Sequence, residues 1–213
     1  MNNHSLLRSR VLHQDSNKCW YTGSNDRILL KFTGDDADDN SFNFLHFYQF
    51  LLGRRFATFF DKSIGYCEHE TCAVEYFPVI VMISTIANKR FADTYGLGYG
   101  SYFNNSILEW KFRSSQLSDP FVTIEHIKAF KLLGSCDIAK IESLARNVFH
   151  FLSGVFRGKR FDLGSISFQF GRNDRGEVVL ATDLNSANIE LWKTHDMKWI
   201  DLTPKKLREI FEF

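Results

Sequence analysis

This sequence has few prolines, a small net charge and only short apolar runs. Three prolines among 213 residues, with no low-complexity run, argue against long disordered linkers. A formal net charge of +1 gives no overall electrostatic case for nucleic-acid binding, which needs a basic surface. The longest apolar run, near Phe77 to Ile83, is far too short to span a membrane. We therefore expect neither a nucleic-acid partner nor a membrane partner.

The first residues also lack the features of a secretory signal. Met1 to Ser16 is polar and has no apolar centre, so we expect a cytoplasmic protein with reduced cysteines. Cys67 and Cys72 enclose a histidine and two glutamates, which would supply half of a zinc site. A second pair at suitable spacing is missing, and this favours a structural or surface loop. Cys19 and Cys136 show no reactive context.

Phenylalanine is what the sequence has in abundance, with 22 residues in a hydrophobic content of 44%. This predicts an aromatic core large enough for one domain or two closely fused lobes. The aspartates within 34–40 are interpreted as a solvated loop, with cation or nucleotide binding as the alternative. The glycine-rich segment 96–100 follows a predicted helix rather than a strand, which favours a helix stop over a phosphate-binding loop.

Hydrophobic periodicity predicts strands first and then a mixture of helices and strands. Predicted strands lie within 11–21 (broken at 14–17), over 28–32 after a turn at 23–26, and on both sides of Pro78 within 73–83. Predicted helices cover 42–60, 89–95, 122–132, 137–152 (capped by Ser135 or Asp137) and a last short segment from Pro204 to Phe213. This order indicates an α+β fold rather than repeated βαβ units.

Residues 165–183 form the most informative segment. Apolar and polar side chains alternate before the polar turn 173–176, with Ile166, Phe168 and Phe170 on one face and Ser165, Ser167 and Gln169 on the other. Asn and Gly in the turn suit a hairpin. If 178–183 is a regular strand, Asp183 points away from the Gln169 face, unless a bulge brings it back.

This hairpin and several other motifs resemble those of the SAICAR synthetase (phosphoribosylaminoimidazole-succinocarboxamide synthase) family. The shared motifs are Val74-Glu75-Tyr76-Phe77-Pro78, the helix 87–96, Ile107-Leu108-Glu109-Trp110, Leu117-Ser118-Asp119-Pro120, Glu125-His126-Ile127 and Leu191-Trp192. The resemblance implies a small β-rich N-terminal lobe over a larger α+β lobe, with a nucleotide cleft between them. We expect the boundary at 1–72 and 73–213.

The resemblance also implies a reaction and its cofactors, ATP and Mg²⁺. The family phosphorylates a carboxylate of an imidazole nucleotide, and the amine of aspartate then displaces the phosphate. By this resemblance, Lys18 would bind ATP, and Arg113 and Asp119 would be catalytic and would also contact substrate. His126 and Arg90 are further candidates for substrate binding, and Asp183 is the candidate metal ligand.

The sequence departs from the family where the resemblance places charged ligands. Gln169 and Thr182 stand at positions of acidic magnesium ligands, and neutral oxygens hold magnesium less well than carboxylates do. Ser84 and Glu190 stand where the family has arginines, so fork-shaped donors for phosphate are lost.

Two interpretations follow. The first is a divergent ligase that uses ATP to join a carboxylate and an amine, both small molecules, on a substrate other than the purine intermediate. The second is a catalytically inactive relative that serves as a binding or regulatory protein; nucleotide binding without ligation is a weaker third. A homo-oligomer is possible by resemblance to the family.

Overall fold

The computed structural model describes residues 11–23 and 27–212. A first antiparallel sheet has the order β1-β2-β3-β5-β4. Its strands are β1 (Val11–Gln14), β2 (Lys18–Thr22), β3 (Arg27–Phe32), β4 (Phe60–Gly65) and β5 (Glu68–Cys72). The strands predicted around the 14–17 break are confirmed; most of the predicted turn 23–26 lies outside the described residues.

A second antiparallel sheet contains the hairpin that the sequence predicted. Its order is β10-β9-β6-β7-β8, and β11 pairs with β9 as well. The strands are β6 (Val74–Ile86), β7 (Tyr102–Phe112), β8 (Phe121–Val122), β9 (Phe161–Asn173), β10 (Val178–Leu180) and β11 (Ile189–Lys193). Because the side chains of a strand alternate between its faces, Ile166, Phe168 and Phe170 are all buried on the side that faces the core.

Five α-helices complete the described part of the fold. They are α1 (Ala37–Gly53), α2 (Lys89–Tyr95), α3 (Ile124–Ala129), α4 (Ser135–Gly158) and α5 (Pro204–Glu212). Helix α4 packs on β9, and α1 packs on α5. The predicted α+β class is confirmed.

An aromatic core joins the helices, as the phenylalanine content predicted. Phe47 of α1 meets Phe211 of α5 edge to face at 4.8 Å and Phe156 of α4 at 6.1 Å. Phe47 and Phe156 have no exposed surface. Such edge-to-face pairs add to the free energy gained by burying apolar area.

The helix predicted over 42–60 was misplaced. Helix α1 begins at Ala37, inside the segment expected to be an acidic loop, and ends at Gly53. Asp38 and Asp39 occupy its first turn, where the helix dipole favours acidic side chains. The backbone of Arg55 has a φ of 58°, which ends helical geometry before Phe56.

The break predicted at Pro78 was also wrong, because β6 runs through it as one strand. The pairing of β6 with β9 is irregular between Tyr76 and Ile80, so Pro78 needs no hydrogen-bond donor there. On the other edge, the Pro78 carbonyl accepts a hydrogen bond of 3.0 Å from the Arg113 backbone N–H.

The predicted helix ends were right for α2 and wrong for α3 and α4. Helix α2 covers 89–95 and is followed by Gly96 in the left-handed region, at a φ of 68°. Helix α3 is shorter than the predicted 122–132, because Thr123 caps it. Helix α4 is longer than 137–152; its N-cap is Gly134, and no side-chain cap bond is formed there by any described residue.

Within the described ranges 11–23 and 27–212, no helix is both long and apolar enough to cross a membrane. The cytoplasmic location and the two-lobe boundary at residue 72 stay predictions.

Candidate functional site

A cavity of about 570 Å³ opens where the two sheets meet. Lys18 and Trp20 of β2 line one wall, Tyr76 of β6 and Gln169 of β9 line another, and the segment after β10 closes one end. This volume lies within the usual range for small-molecule sites. The cavity therefore has room for a nucleotide-sized ligand, between elements that are each fixed by a sheet.

An ion pair between Lys18 and Asp183 spans the cavity wall. The ammonium of Lys18 contacts the Oδ2 atom of Asp183 and lies 3.7 Å from the Asp15 carboxylate. The side chains of Lys18 and Asp183 are only 13% and 17% exposed, so the pair is shielded from solvent. Lys18 also lies 5.2 Å from the Trp20 ring centroid, at cation–π distance.

Thr182 explains why Asp183 reaches the cavity. The Thr182 hydroxyl accepts a hydrogen bond of 2.6 Å from the Gln169 backbone N–H and donates one of 3.1 Å to the Gln169 carbonyl. The Ala181 backbone N–H donates a last backbone bond of 2.9 Å to the Gln169 carbonyl. Beyond it the Thr182 side chain replaces the backbone partner, and β10 ends at Leu180. The question left open by the sequence is thus settled: Asp183 follows the strand and lines the cavity.

Tyr48 fixes the same segment from inside the core. Its hydroxyl donates a short hydrogen bond to the Thr182 carbonyl, and the whole side chain is buried. Burial raises the pKa of Tyr48 well above its usual value, so the phenol stays protonated and keeps donating.

Arg113 and Tyr76 also line the cavity. The guanidinium of Arg113 lies 5.0 Å from the Tyr76 ring centroid. Burial raises the pKa of Tyr76 to about 12, although the nearby Arg113 opposes the shift. Tyr76 is therefore a neutral hydrogen-bond donor in the cavity, and Arg113 is a cation available to an anionic ligand.

A magnesium ion does not fit the residues of this cavity. The Thr182 hydroxyl is neutral and already bonded to the Gln169 backbone, and the Asp183 carboxylate is paired with Lys18. Across the part of the chain that the structure describes, no three metal-binding side chains gather, which also leaves Cys67 and Cys72 without a zinc site. The Cys67 thiol instead donates to Asp38 at 3.4 Å.

Asp119 and His126 do not line this cavity. Asp119 accepts a hydrogen bond of 2.7 Å from the Ser114 backbone N–H. His126 caps α3 together with Thr123: its Nδ1 atom lies 3.2 Å from the Thr123 backbone nitrogen. Both side chains already have these local partners. Their predicted roles in catalysis and substrate binding stay predictions.

Arg90 lies beside a different cavity, of about 620 Å³. Its guanidinium is paired with the Glu109 carboxylate and lies between the Phe91 and Phe121 rings, 4.2 and 4.5 Å from their centroids. The structure thus brings Lys18, Arg113 and Asp183 together in the first cavity and places Arg90 outside it.

The two positions that resemblance assigns to arginines lie in one row of the second sheet. Ser84 of β6 and Glu190 of β11 both pair with Ser165 of β9. Asn88 donates hydrogen bonds of 3.2 Å to both carboxylate oxygens of Glu190. This end of the sheet face therefore presents a carboxylate and hydroxyls instead of two cations.

Sequence reasoning missed Trp20, Tyr48 and Tyr76 as residues of the cavity or its support. Tyr76 lies inside a motif shared with the family, and side chains alternate along a strand, so Tyr76 and Phe77 point to opposite faces. This alternation could have identified Tyr76. Tyr48 carried none, because its hydroxyl meets a carbonyl 134 residues away in sequence.

Comparisons with known proteins identify the family and the fold. The sequence model of the SAICAR synthetase family matches residues 45–208. The phosphoribosylaminoimidazole-succinocarboxamide synthase of Rickettsia canadensis is 27% identical over 224 residues, which cover 95% of this chain and 94% of that protein. The enzyme of the same name from Bartonella tribocorum is 28% identical over 216 residues, covering 92% and 84%. A solved structure of a type-2 SAICAR synthetase in complex with ADP has a TM-score of 0.85 at 19% identity and covers 95% of this chain and 96% of that one.

Proposed function

This chain belongs to the SAICAR synthetase family, and on that premise we propose that it is an ATP-dependent ligase that joins a carboxylate to an amine. The observation that carries the proposal is the cavity between the two sheets, which has the cations Lys18 and Arg113 in its lining. The ADP complex of the structural relative supports a nucleotide as its occupant.

The proposed reaction has two steps. A carboxylate oxygen of the substrate attacks the γ-phosphorus of ATP, and ADP leaves. The amine nitrogen then attacks the acyl carbon, inorganic phosphate leaves with the carboxylate oxygen, and the nitrogen loses a proton. Negative charge builds up on the leaving ADP in the first step and on the leaving inorganic phosphate in the second, and fixed cations and hydrogen-bond donors stabilise it.

Three side chains of the cavity suit this chemistry. Lys18 and Arg113 would bind phosphate oxygens, Lys18 as a compact charge and Arg113 through its planar fork. Tyr76 would donate a hydrogen bond, since its pKa of about 12 keeps the phenol protonated at neutral pH. Asp183 is paired with Lys18, so a phosphate that binds the Lys18 ammonium has to compete with this carboxylate.

Two observations bear on the substrate. The name shared by the curated relatives favours the imidazole nucleotide and aspartate as the first pair to test. Ser84 and Glu190 oppose it, because a hydroxyl and a carboxylate cannot replace arginines at a phosphate. We propose a carboxylate substrate other than that nucleotide, one that places no phosphate beside Glu190.

The experiment is a turnover panel with the purified, folded protein. ADP formation is followed with the imidazole nucleotide and aspartate and with a series of other carboxylate–amine pairs, and products are identified by mass spectrometry. We expect ADP and an amide only when both substrates are present. Turnover of the imidazole nucleotide with aspartate would refute the changed substrate while leaving the ligase; no turnover with any pair would count against the ligase.

A second candidate is a binding protein that keeps the fold without catalysis. The Lys18–Asp183 ion pair favours it, because the cation nearest the proposed phosphates is already engaged by a carboxylate. This candidate predicts that the protein binds a nucleotide or another ligand in the cavity, with no ADP formed from ATP in any arm of the panel.

A further inference from the structure

We infer that the cavity holds nucleotide phosphates through Lys18 and Arg113 and without a magnesium ion bound to protein side chains. The inference rests on the proposed function, since it assumes that a nucleotide occupies the cavity. It concerns how the phosphate charge is balanced, and it makes Asp183 a partner of Lys18 rather than a metal ligand.

Asp183 is the carboxylate on which a metal site would depend. Its Oδ2 atom accepts hydrogen bonds from the Lys18 ammonium and, at 3.3 Å, from the Asn185 amide. Its Oδ1 atom is buried and has no hydrogen-bond partner among the residues that the structure describes. An ion in the cavity would therefore meet an oxygen shared with a cation or an oxygen that the cavity does not expose.

The two oxygen atoms of Thr182 already make hydrogen bonds. The Thr182 hydroxyl both accepts from and donates to the Gln169 backbone, and the Thr182 carbonyl accepts from Tyr48. Magnesium demands near-octahedral oxygen ligands and is bound by carboxylates together with phosphates. These neutral oxygens, already shared with hydrogen-bond donors, would hold the ion less strongly than carboxylates do.

The cations of the cavity supply the alternative. Lys18 is held among the carboxylates of Asp15 and Asp183, with its side chain 13% exposed, and Arg113 lines the same cavity. An entering phosphate competes with Asp183 for the ammonium. A carboxylate that does not hold a metal repels the phosphate, so its removal should strengthen nucleotide binding instead of weakening it.

The test is a calorimetric titration of wild type and Asp183→Asn with ADP, in EDTA and again in excess Mg²⁺. We expect wild type to bind ADP in EDTA at least as tightly as in Mg²⁺. We expect Asp183→Asn to bind about five-fold tighter in both buffers, as the loss of one nearby like charge implies. Asp137→Asn is the matched control, because it also removes a carboxylate paired with a cation, Arg172, but outside the cavity.

Two results would overturn the inference, and they differ in what they say of the ligase. Binding that needs Mg²⁺ and is weakened ten-fold or more in Asp183→Asn would refute the metal-free site and leave the proposed function intact. Absence of ADP binding by folded wild type in both buffers would contradict both. Lys18→Gln provides a second check: it should weaken binding in EDTA, where a magnesium site that does not use Lys18 would show no loss.

Discussion

A buried histidine should make the stability of this protein depend on pH in a defined window. His69 of β5 is 1% exposed and lies among the rings of Phe32, Phe44 and Phe60. Its Nε2 atom lies 2.9 Å from the Ser41 hydroxyl, and its Nδ1 atom has no partner among the described residues. Burial lowers the pKa of His69 from 6.5 to about 4, because the charged ring loses its hydration.

The sign and size of the effect follow from that shift. The folded state has the lower pKa, so the unfolded chain takes up the proton first as the pH falls. The stability tied to the neutral ring is complete above pH 6.5 and is lost as the pH falls from 6.5 to about 4. At 1.36 kcal/mol for each pKa unit, the loss is about 3 kcal/mol.

The assay is urea unfolding at a series of pH values from 7 to 4 for wild type and His69→Gln. Glutamine keeps a donor for Ser41 but does not titrate. We expect wild type to lose about 3 kcal/mol of unfolding free energy relative to His69→Gln as the pH falls across the series. His195→Gln, at a side chain that is 78% exposed, is the control. Parallel pH profiles for wild type and His69→Gln would refute the reasoning.

Two further changes test packing near the cavity. Gly171→Ala should destabilise the protein by about 3 kcal/mol or more, since a Cβ atom there would lie 2.2 Å from the Val74 side chain. The control in thermal unfolding is Gly154→Ala, where an added Cβ atom would meet nothing within 4 Å. Equal effects of the two substitutions would contradict the steric argument. Tyr48→Phe should cost about 1–3 kcal/mol by leaving the buried Thr182 carbonyl unpaired. An unchanged unfolding midpoint would count against this hydrogen bond.

The sequence predicted those elements whose signals are local. The hairpin of β9 and β10 follows from alternation and from its turn, and α2 follows from its apolar spacing and Gly96. The same reasoning gave wrong bounds for helix α1. Its apolar residues continue past Gly53 into the segment before β4, so the pattern alone did not show where the helix ends.

The candidate site was only partly predictable, because its geometry depends on contacts distant in sequence. Resemblance gave Lys18, Arg113 and Asp183 as candidates, and all three line one cavity. Nothing local showed that Lys18 and Asp183, 165 residues apart, form an ion pair. Nor did the sequence show that the Thr182 side chain ends β10, which decides where Asp183 points.

The fate of the carboxylate oxygen tests the proposed ligase most directly. The carboxylate substrate that supports ATP turnover is labelled with ¹⁸O, and the inorganic phosphate formed is analysed by mass spectrometry. Activation through an acyl phosphate predicts that each phosphate released with the amide carries one labelled oxygen. Phosphate without label, or ATP consumption that does not require the carboxylate, would contradict the account.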